Sequence, residues 1–115
     1  MRVSSVFDAA HKLIGYKGKC AQLHGHTWEI ELFVVGDQLD DIGMLLDFKL
    51  IKKPINKIVK KLDHAFLNDI KTIGNPTSEN IANYIFHNLK LPRKVRLEKV
   101  RVWENTEVYA EYFEQ

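Results

Sequence analysis

Residues 19–28 read KCAQLHGHTW and hold the only cysteine of the chain, Cys20, followed closely by two histidines, His24 and His26, that flank a glycine. On an extended strand, side chains two apart project from one face. The two imidazoles therefore stand side by side, near enough to share a cation. Histidines at this spacing also arise through packing or through pairing with carboxylates, so the pair alone leaves metal binding and ordinary structure both open. His11 shifts the balance. If the segment ending at His11 forms a hairpin with the one beginning at His24, three neutral imidazoles gather on one face of a sheet. Three histidines match a catalytic zinc centre with one open position, whereas structural zinc is closed by four ligands, usually including cysteines. Iron or another transition metal accepts the same donors. Singly, His11 reads as a satisfied core residue. Three histidines on a buried side are costly to desolvate without a shared partner, and a divalent ion is the simplest one.

Cys20 lies in the loop leading to His24. As a fourth ligand it would close the site. Just outside the shell, with positive charge nearby, its pKa would fall and it would serve as a base or nucleophile. Taken alone, it reads as a small buried hydrophobe.

These residues need elements to position them. Alternation over residues 2–11 puts Val3, Phe7, Ala9 and His11 on one face of a strand. From 24 to 35 it puts His24, His26, Trp28, Ile30, Leu32 and Val34 together, with Thr27, Glu29 and Glu31 opposite. Asp47 can cap a helix whose Phe48, Ile51, Ile55, Ile58, Val59 and Leu62 form an apolar stripe, and Pro54 either kinks that helix or marks its first turn. A second helix enters at Pro76 and Thr77, carries Glu79 in its first turn, buries Ile81, Ala82, Ile85, Phe86 and Leu89, and ends near Leu91 and Pro92. Residues 95–104 and 107–113 read as strands joined by a tight turn at Asn105 and Thr106. The order strand, strand, helix, helix, strand, strand implies an α+β fold, an antiparallel sheet covered on one face by two helices. With no repeat, low-complexity tract or linker, residues 1–115 read as a single domain.

The bulk properties exclude several classes. Seventeen Lys+Arg against 15 Asp+Glu leave a formal charge of only +2, too weak to imply a nucleic-acid partner. The basic runs Lys52–Lys61 and Lys90–Arg101 are interleaved with apolar positions, as solvated faces are. One cysteine cannot form an internal disulfide, so nothing points to an oxidising compartment and the cytoplasm is the expected location. No segment has the apolar character of a signal peptide or the length to span a bilayer, so no membrane association is expected.

Six segments, in order, carry a resemblance that covers nearly the whole chain: FDAAH (7–11), C-x-x-x-HGH (20–26), GMLLDF (43–48), LDHAFLN (62–68), NPTSEN (75–80) and VWEN…YAEY (102–112). Together they resemble the 6-pyruvoyltetrahydropterin synthase family. The three-residue gap between Cys20 and the HGH is similar to that of the bacterial and archaeal 6-carboxytetrahydropterin synthases of the queuosine pathway, whereas animal-type pyruvoyl enzymes usually carry a longer gap. The resemblance implies a tunnelling fold, in which subunits join their sheets into a barrel and rings pair into a homohexamer, a dimer of trimers with active sites between chains. It implies a lyase that binds Zn2+ through His11, His24 and His26. Cys20 would be the general base, Asp63 and His64 a second proton-transfer pair, and Glu104 the anchor of a pterin ring, assisted by Thr77, Ser78 and Glu79. The implied substrate is the small molecule 7,8-dihydroneopterin triphosphate. The implied product is 6-carboxy-5,6,7,8-tetrahydropterin, with triphosphate and acetaldehyde released; the alternative is the pyruvoyl reaction, which eliminates triphosphate only.

Lys12, Lys17 and Lys19 border the metal loop and are candidates for the triphosphate, while His87 reads as a surface residue. The chain departs from the family pattern at Thr27 and Trp28 and at Asn105, positions that read as marginal to the site. Two rivals compete. Gly18, His24, His26 and Glu31 fit a cupin-like G-x5-HxH-x4-E spacing, although in a regular strand Glu31 faces away from His26. A noncatalytic metal-binding scaffold would keep the fold without the chemistry, and the joint presence of Cys20, Asp63, His64 and Glu104 speaks against it.

Overall fold

The computed structural model describes residues 1–115, with the side chain of Cys20 lying outside the described residues. Six main elements follow in order: β1 (Arg2–His11), β2 (His24–Gly36), α1 (Phe48–Leu62), α2 (Ser78–Asn88), β3 (Val95–Trp103) and β4 (Tyr109–Phe113). Short 3-10 turns form at Lys19–Ala21 and Leu67–Asp69. The strands make one antiparallel sheet, as expected, in the order β1-β2-β3-β4.

The two faces of the sheet follow the period-2 pattern. Phe7, Ala9, Trp28, Ile30, Leu32, Val34, Val100 and Val102 join one buried cluster with Ile51, Ile55, Ile58 and Leu62 of α1 and Ile81, Ala82, Tyr84 and Ile85 of α2. α1 lies over β1, and α2 over β3 and β4. Each fully buried aliphatic side chain of this layer contributes about 1.5–3 kcal/mol. That packing holds rigid the hairpin whose open end carries the histidines. The opposite face is mixed, with Val6, Phe33, Tyr109 and Phe113 among its polar side chains, and it buries one charge: Glu31 is only 5% exposed. Its carboxylate accepts from the side chains of Arg2 and Trp103 and lies 3.6 Å from Arg101, so the buried charge is paired and hydrogen-bonded.

Asp47 caps α1 by accepting from the Lys49 backbone N–H at 2.9 Å, and the helix runs unbroken through Pro54. Phe48 departs from the expected stripe. It sits in the first turn, 59% exposed and outside the core cluster. α2 stops at Asn88, ahead of the expected end, because Leu89 is already extended with φ −89° and ψ 121°. The link between β3 and β4 is wider than a tight turn: Asn105 Oδ1 accepts from the backbone N–H of Glu107 and of Val108, a local bond that competes with strand pairing and shortens both strands.

Candidate metal centre and its neighbours

The β1–β2 register pairs His11 with His24 and Ala9 with His26, so the three imidazoles meet at the open end of the hairpin on the helix-covered side. His11 is 1% exposed and donates from Nδ1 to the Pro76 carbonyl at 2.7 Å. His24 donates from Nδ1 to the Gln22 carbonyl, also at 2.7 Å. In the neutral rings those two bonds fix the tautomers, leaving a lone pair on each Nε2. The two Nε2 atoms face each other at 3.0 Å. Two lone pairs at that distance repel unless a proton or a cation sits between them. His26 Nε2 is buried and makes no hydrogen bond of acceptable geometry, although Glu104 Oε1 lies 3.0 Å away.

The donor set fits a transition-metal ion. Ligand atoms of His11, His24, His26 and Glu104 all lie within 4.8 Å of one another. Tetrahedral zinc with nitrogen and oxygen ligands near 2.0–2.1 Å requires ligand atoms separated by about 3.3 Å, close to the 3.0 Å between the Nε2 atoms of His11 and His24. Glu104 Oε1 borders the trio, 3.0 Å from His26 Nε2 and 3.6 Å from His11 Nε2. The carbonyl bonds at Nδ1 are the outer-shell pattern of metal-bound histidine. Burial pushes the pKa of His11 and of His26 down, keeping both neutral as a metal requires.

A second pair sits on the edge of β1. Asp63 caps the end of α1, and its Oδ1 accepts from the Asp8 backbone N–H at 3.0 Å while its Oδ2 lies 2.9 Å from His64 Nδ1. The Asp8 N–H, and then His64, hold the Asp63 pKa down; the Asp63 carboxylate raises that of His64. His64 adopts φ 57°, a left-handed conformation that costs energy in a non-glycine residue. Its N–H donates to the Asp8 carbonyl at 2.6 Å, which fastens this turn to the strand. His64 is 80% exposed on its side chain, yet it lines, with Asp8, Gly25, Thr27 and His26, one open depression of about 470 Å3.

Glu104 emerges just after β3. Besides touching the histidines it lines a cavity of about 200 Å3 together with Ser78, Glu79 and Tyr109. Thr77 is occupied differently: its Oγ1 caps α2 by accepting from the Asn80 N–H at 3.1 Å.

The sequence profile described as 6-pyruvoyl tetrahydropterin synthase matches residues 1–115. The chain belongs to that family. It is 39% identical over 112 residues to the 6-carboxy-5,6,7,8-tetrahydropterin synthase of Synechocystis, spanning 93% of this chain and 87% of that protein. It is likewise 39% identical over 107 residues to the dihydroneopterin monophosphate aldolase of Pyrococcus furiosus, spanning 91% and 89%. The 6-pyruvoyl tetrahydropterin synthase of Caenorhabditis elegans superposes with a TM-score of 0.87 at 27% identity, covering all of this chain and 94% of that one. Membership makes the chain an enzyme, a lyase, and the α+β sheet with two helices is the fold of the family.

Several residues of this pterin synthase family member have roles that sequence reasoning missed. Trp28 is not marginal. It is fully buried, with its ring 4.9 Å from that of His11 and 5.2 Å from that of His26, forming a wall behind two of the three imidazoles. Asn68 and Asn75 clamp the chain that leaves His11: each side-chain amide donates to a backbone carbonyl and accepts from the N–H of the same residue, Lys12 for Asn68 and Ile14 for Asn75. Asn80 in turn donates to the Asn75 carbonyl. Their presence inside LDHAFLN and NPTSEN was the available signal. Glu31 points into the Arg2, Trp103 and Arg101 group on the opposite sheet face, which removes the cupin-like reading. Lys12, Lys17 and Lys19 are exposed around the loop, and His87 is a surface residue that pairs with Glu114 at 3.0 Å. The expectation for Cys20 lies outside the described residues.

Proposed function

We propose that the chain is a zinc-dependent 6-carboxy-5,6,7,8-tetrahydropterin synthase acting on 7,8-dihydroneopterin triphosphate, with triphosphate and acetaldehyde as the other products. The observation that carries this reading is the meeting of three imidazole Nε2 atoms, two of them with Nδ1 tied to a backbone carbonyl. The Synechocystis relative supplies the choice of reaction. His11, His24 and His26 would hold the ion, which supplies Lewis acidity to side-chain hydroxyls of the substrate.

In this reading the remaining residues bind and move protons. Glu104 accepts two N–H groups from the amino-pyrimidine edge, a charge-assisted bidentate contact that orients the ring, with Ser78 and Glu79 lining the same cavity. Thr77 assists by holding the first turn of α2, and so the position of Ser78 and Glu79, through its cap. Cys20 removes the carbon-bound proton from the side chain. Asp63 fixes His64 through Nδ1, leaving Nε2 to exchange a second proton with the substrate, and the raised His64 pKa keeps a proton available there. Lys12, Lys17 and Lys19 face the triphosphate. The reading includes one catalytic domain over residues 1–115, located in the cytoplasm and assembled as a homohexamer with its sheets joined into a barrel.

The test is incubation of the zinc-loaded protein with dihydroneopterin triphosphate, with triphosphate release followed and the pterin identified by mass spectrometry. The 6-carboxy product is expected. A 6-pyruvoyl product reassigns the chain to the synthase of that name. Cleavage of dihydroneopterin monophosphate in its place puts the chain with the Pyrococcus aldolase, a second reading favoured by equal identity. Release of nothing from either substrate overturns the enzymatic reading and leaves the metal-binding scaffold.

A further inference from the structure

Although the whole chain carries a net charge of only +2, the segment Phe48–Leu62 holds Lys49, Lys52, Lys53, Lys57, Lys60 and Lys61 and no acidic residue. Lys53, Lys57 and Lys61 recur every fourth residue and so form one row on α1. Like charges at that spacing destabilise a helix. The helix dipole rewards lysines in the last turn, Lys60 and Lys61, and leaves Lys53 and Lys57 without that compensation. Among the described residues, no carboxylate pairs with Lys53, Lys57, Lys61 or Lys90. These four lysines line a single cavity of about 430 Å3, completed by Pro54 and Ile58 on α1 and by Asn88 at the end of α2. None of its residues belongs to the metal centre or its neighbours.

We propose that this groove between α1 and the end of α2 binds an oligophosphate anion, the linked phosphate chain of a small molecule. The cavity is concave and walled on two sides, which suits a compact ligand. Three lysines in a row span about 12 Å at the helical rise of 1.5 Å per residue, a length that engages several linked phosphates and exceeds a single one. No aromatic ring lines it, so there is no platform on which a nucleic-acid base would stack. Asn88 adds a polar side chain beside the cations.

The test is calorimetric titration of the metal-loaded chain with magnesium tripolyphosphate, with metal content checked afterwards. In the K17Q/K19Q background, which removes triphosphate contacts proposed for the metal loop, one saturable site is expected, weakened at least tenfold when K57Q/K90Q is added. Should the double variant not fold, K53Q alone is expected to weaken binding at least threefold. Adenosine triphosphate binding as tightly as tripolyphosphate supports recognition of the phosphate chain whatever it is attached to. In the K17Q/K19Q background, binding that fails to saturate or that survives K57Q/K90Q overturns the proposal, as does the loss of all binding on K17Q/K19Q alone. Retention of a single-stranded oligonucleotide, lost in K57Q/K90Q, by a chain that ignores tripolyphosphate overturns it in favour of a nucleic-acid surface. Because the groove variants leave the metal loop intact, these outcomes are independent of which pterin reaction the chain performs.

Discussion

The three histidines of the β1–β2 hairpin and the lone imidazole of His64 use one side chain for opposite ends. His11 sits buried with its Nδ1 spent on a carbonyl, so Nε2 is presented as a lone pair and burial lowers the pKa. His64 stands in solvent with its Nδ1 facing a carboxylate, so the protonated form is favoured and the pKa rises. A carbonyl partner in a dry place makes a ligand; a carboxylate partner in a wet one makes a proton carrier. His26 and His64 both line one depression, and the His26 Nε2 that faces the trio is buried. The chemistry of each imidazole is decided by its partner before any substrate arrives.

Removing a ligand should give the largest effect. His24→Ala is expected to cost more than the roughly 10–100-fold in metal affinity that outer-shell changes cost, and turnover should vanish with the metal; elemental analysis after dialysis checks this. His64→Asn should separate the regions. It is expected to lower turnover by about 10²–10⁴, the usual worth of a positioned acid or base, while metal content stays at the parent level. A variant at His64 that released the metal would erase the distinction between the two sites.

The histidine trio was legible in the sequence because a strand period of two places His11 with Phe7 and Ala9, and His24 and His26 with Trp28, on the face that must be buried. The helical stripes of α1 and α2 were legible for the same reason, up to ends where local geometry wins over pattern, as at Phe48 and Leu89. What local pattern does not encode is partnership across the chain. The Asn68 and Asn75 clamps join residues 56 and 61 positions apart. Glu104 reaches His26 only because β3 pairs with β2, and the left-handed turn at His64 exists because Asp8 holds it. Glu31 was placed on the correct face but not foreseen as buried, since its burial depends on Arg2 and Arg101 arriving from two other strands.

Those long-range clamps set the next effect in size. Asn75→Ala removes two hydrogen bonds to Ile14 and loosens the residue just before Pro76, whose carbonyl orients His11. At about 0.5–1.5 kcal/mol each, the lost bonds are expected to lower stability by about 1–3 kcal/mol in urea unfolding. Thr77→Ala removes the cap of α2 and should cost about 1 kcal/mol, with no loss of metal.

The smallest effect distinguishes the regions by sign. In metal-free protein His11 and His26 have folded pKa values below the ordinary 6.5 because burial disfavours their charged forms. Their contribution is complete above pH 6.5 and is lost as pH falls from there towards the lowered folded values, since the unfolded chain then binds more protons. His64, raised by Asp63, and His87, raised first by the Asn83 carbonyl and then by Glu114, run the other way. Their stabilisation is full below 6.5 and disappears as pH rises through the raised folded values. Melting temperature followed from pH 5 to 8 should therefore change shape in Asp63→Asn. Losing the carboxylate should lessen the decline above neutrality and leave the fall on the acid side unchanged. Both His64 and His87 are exposed, so solvent screening keeps the difference small. A loss confined to the acid side in that variant would mean that Asp63 acts on the buried trio and not on His64.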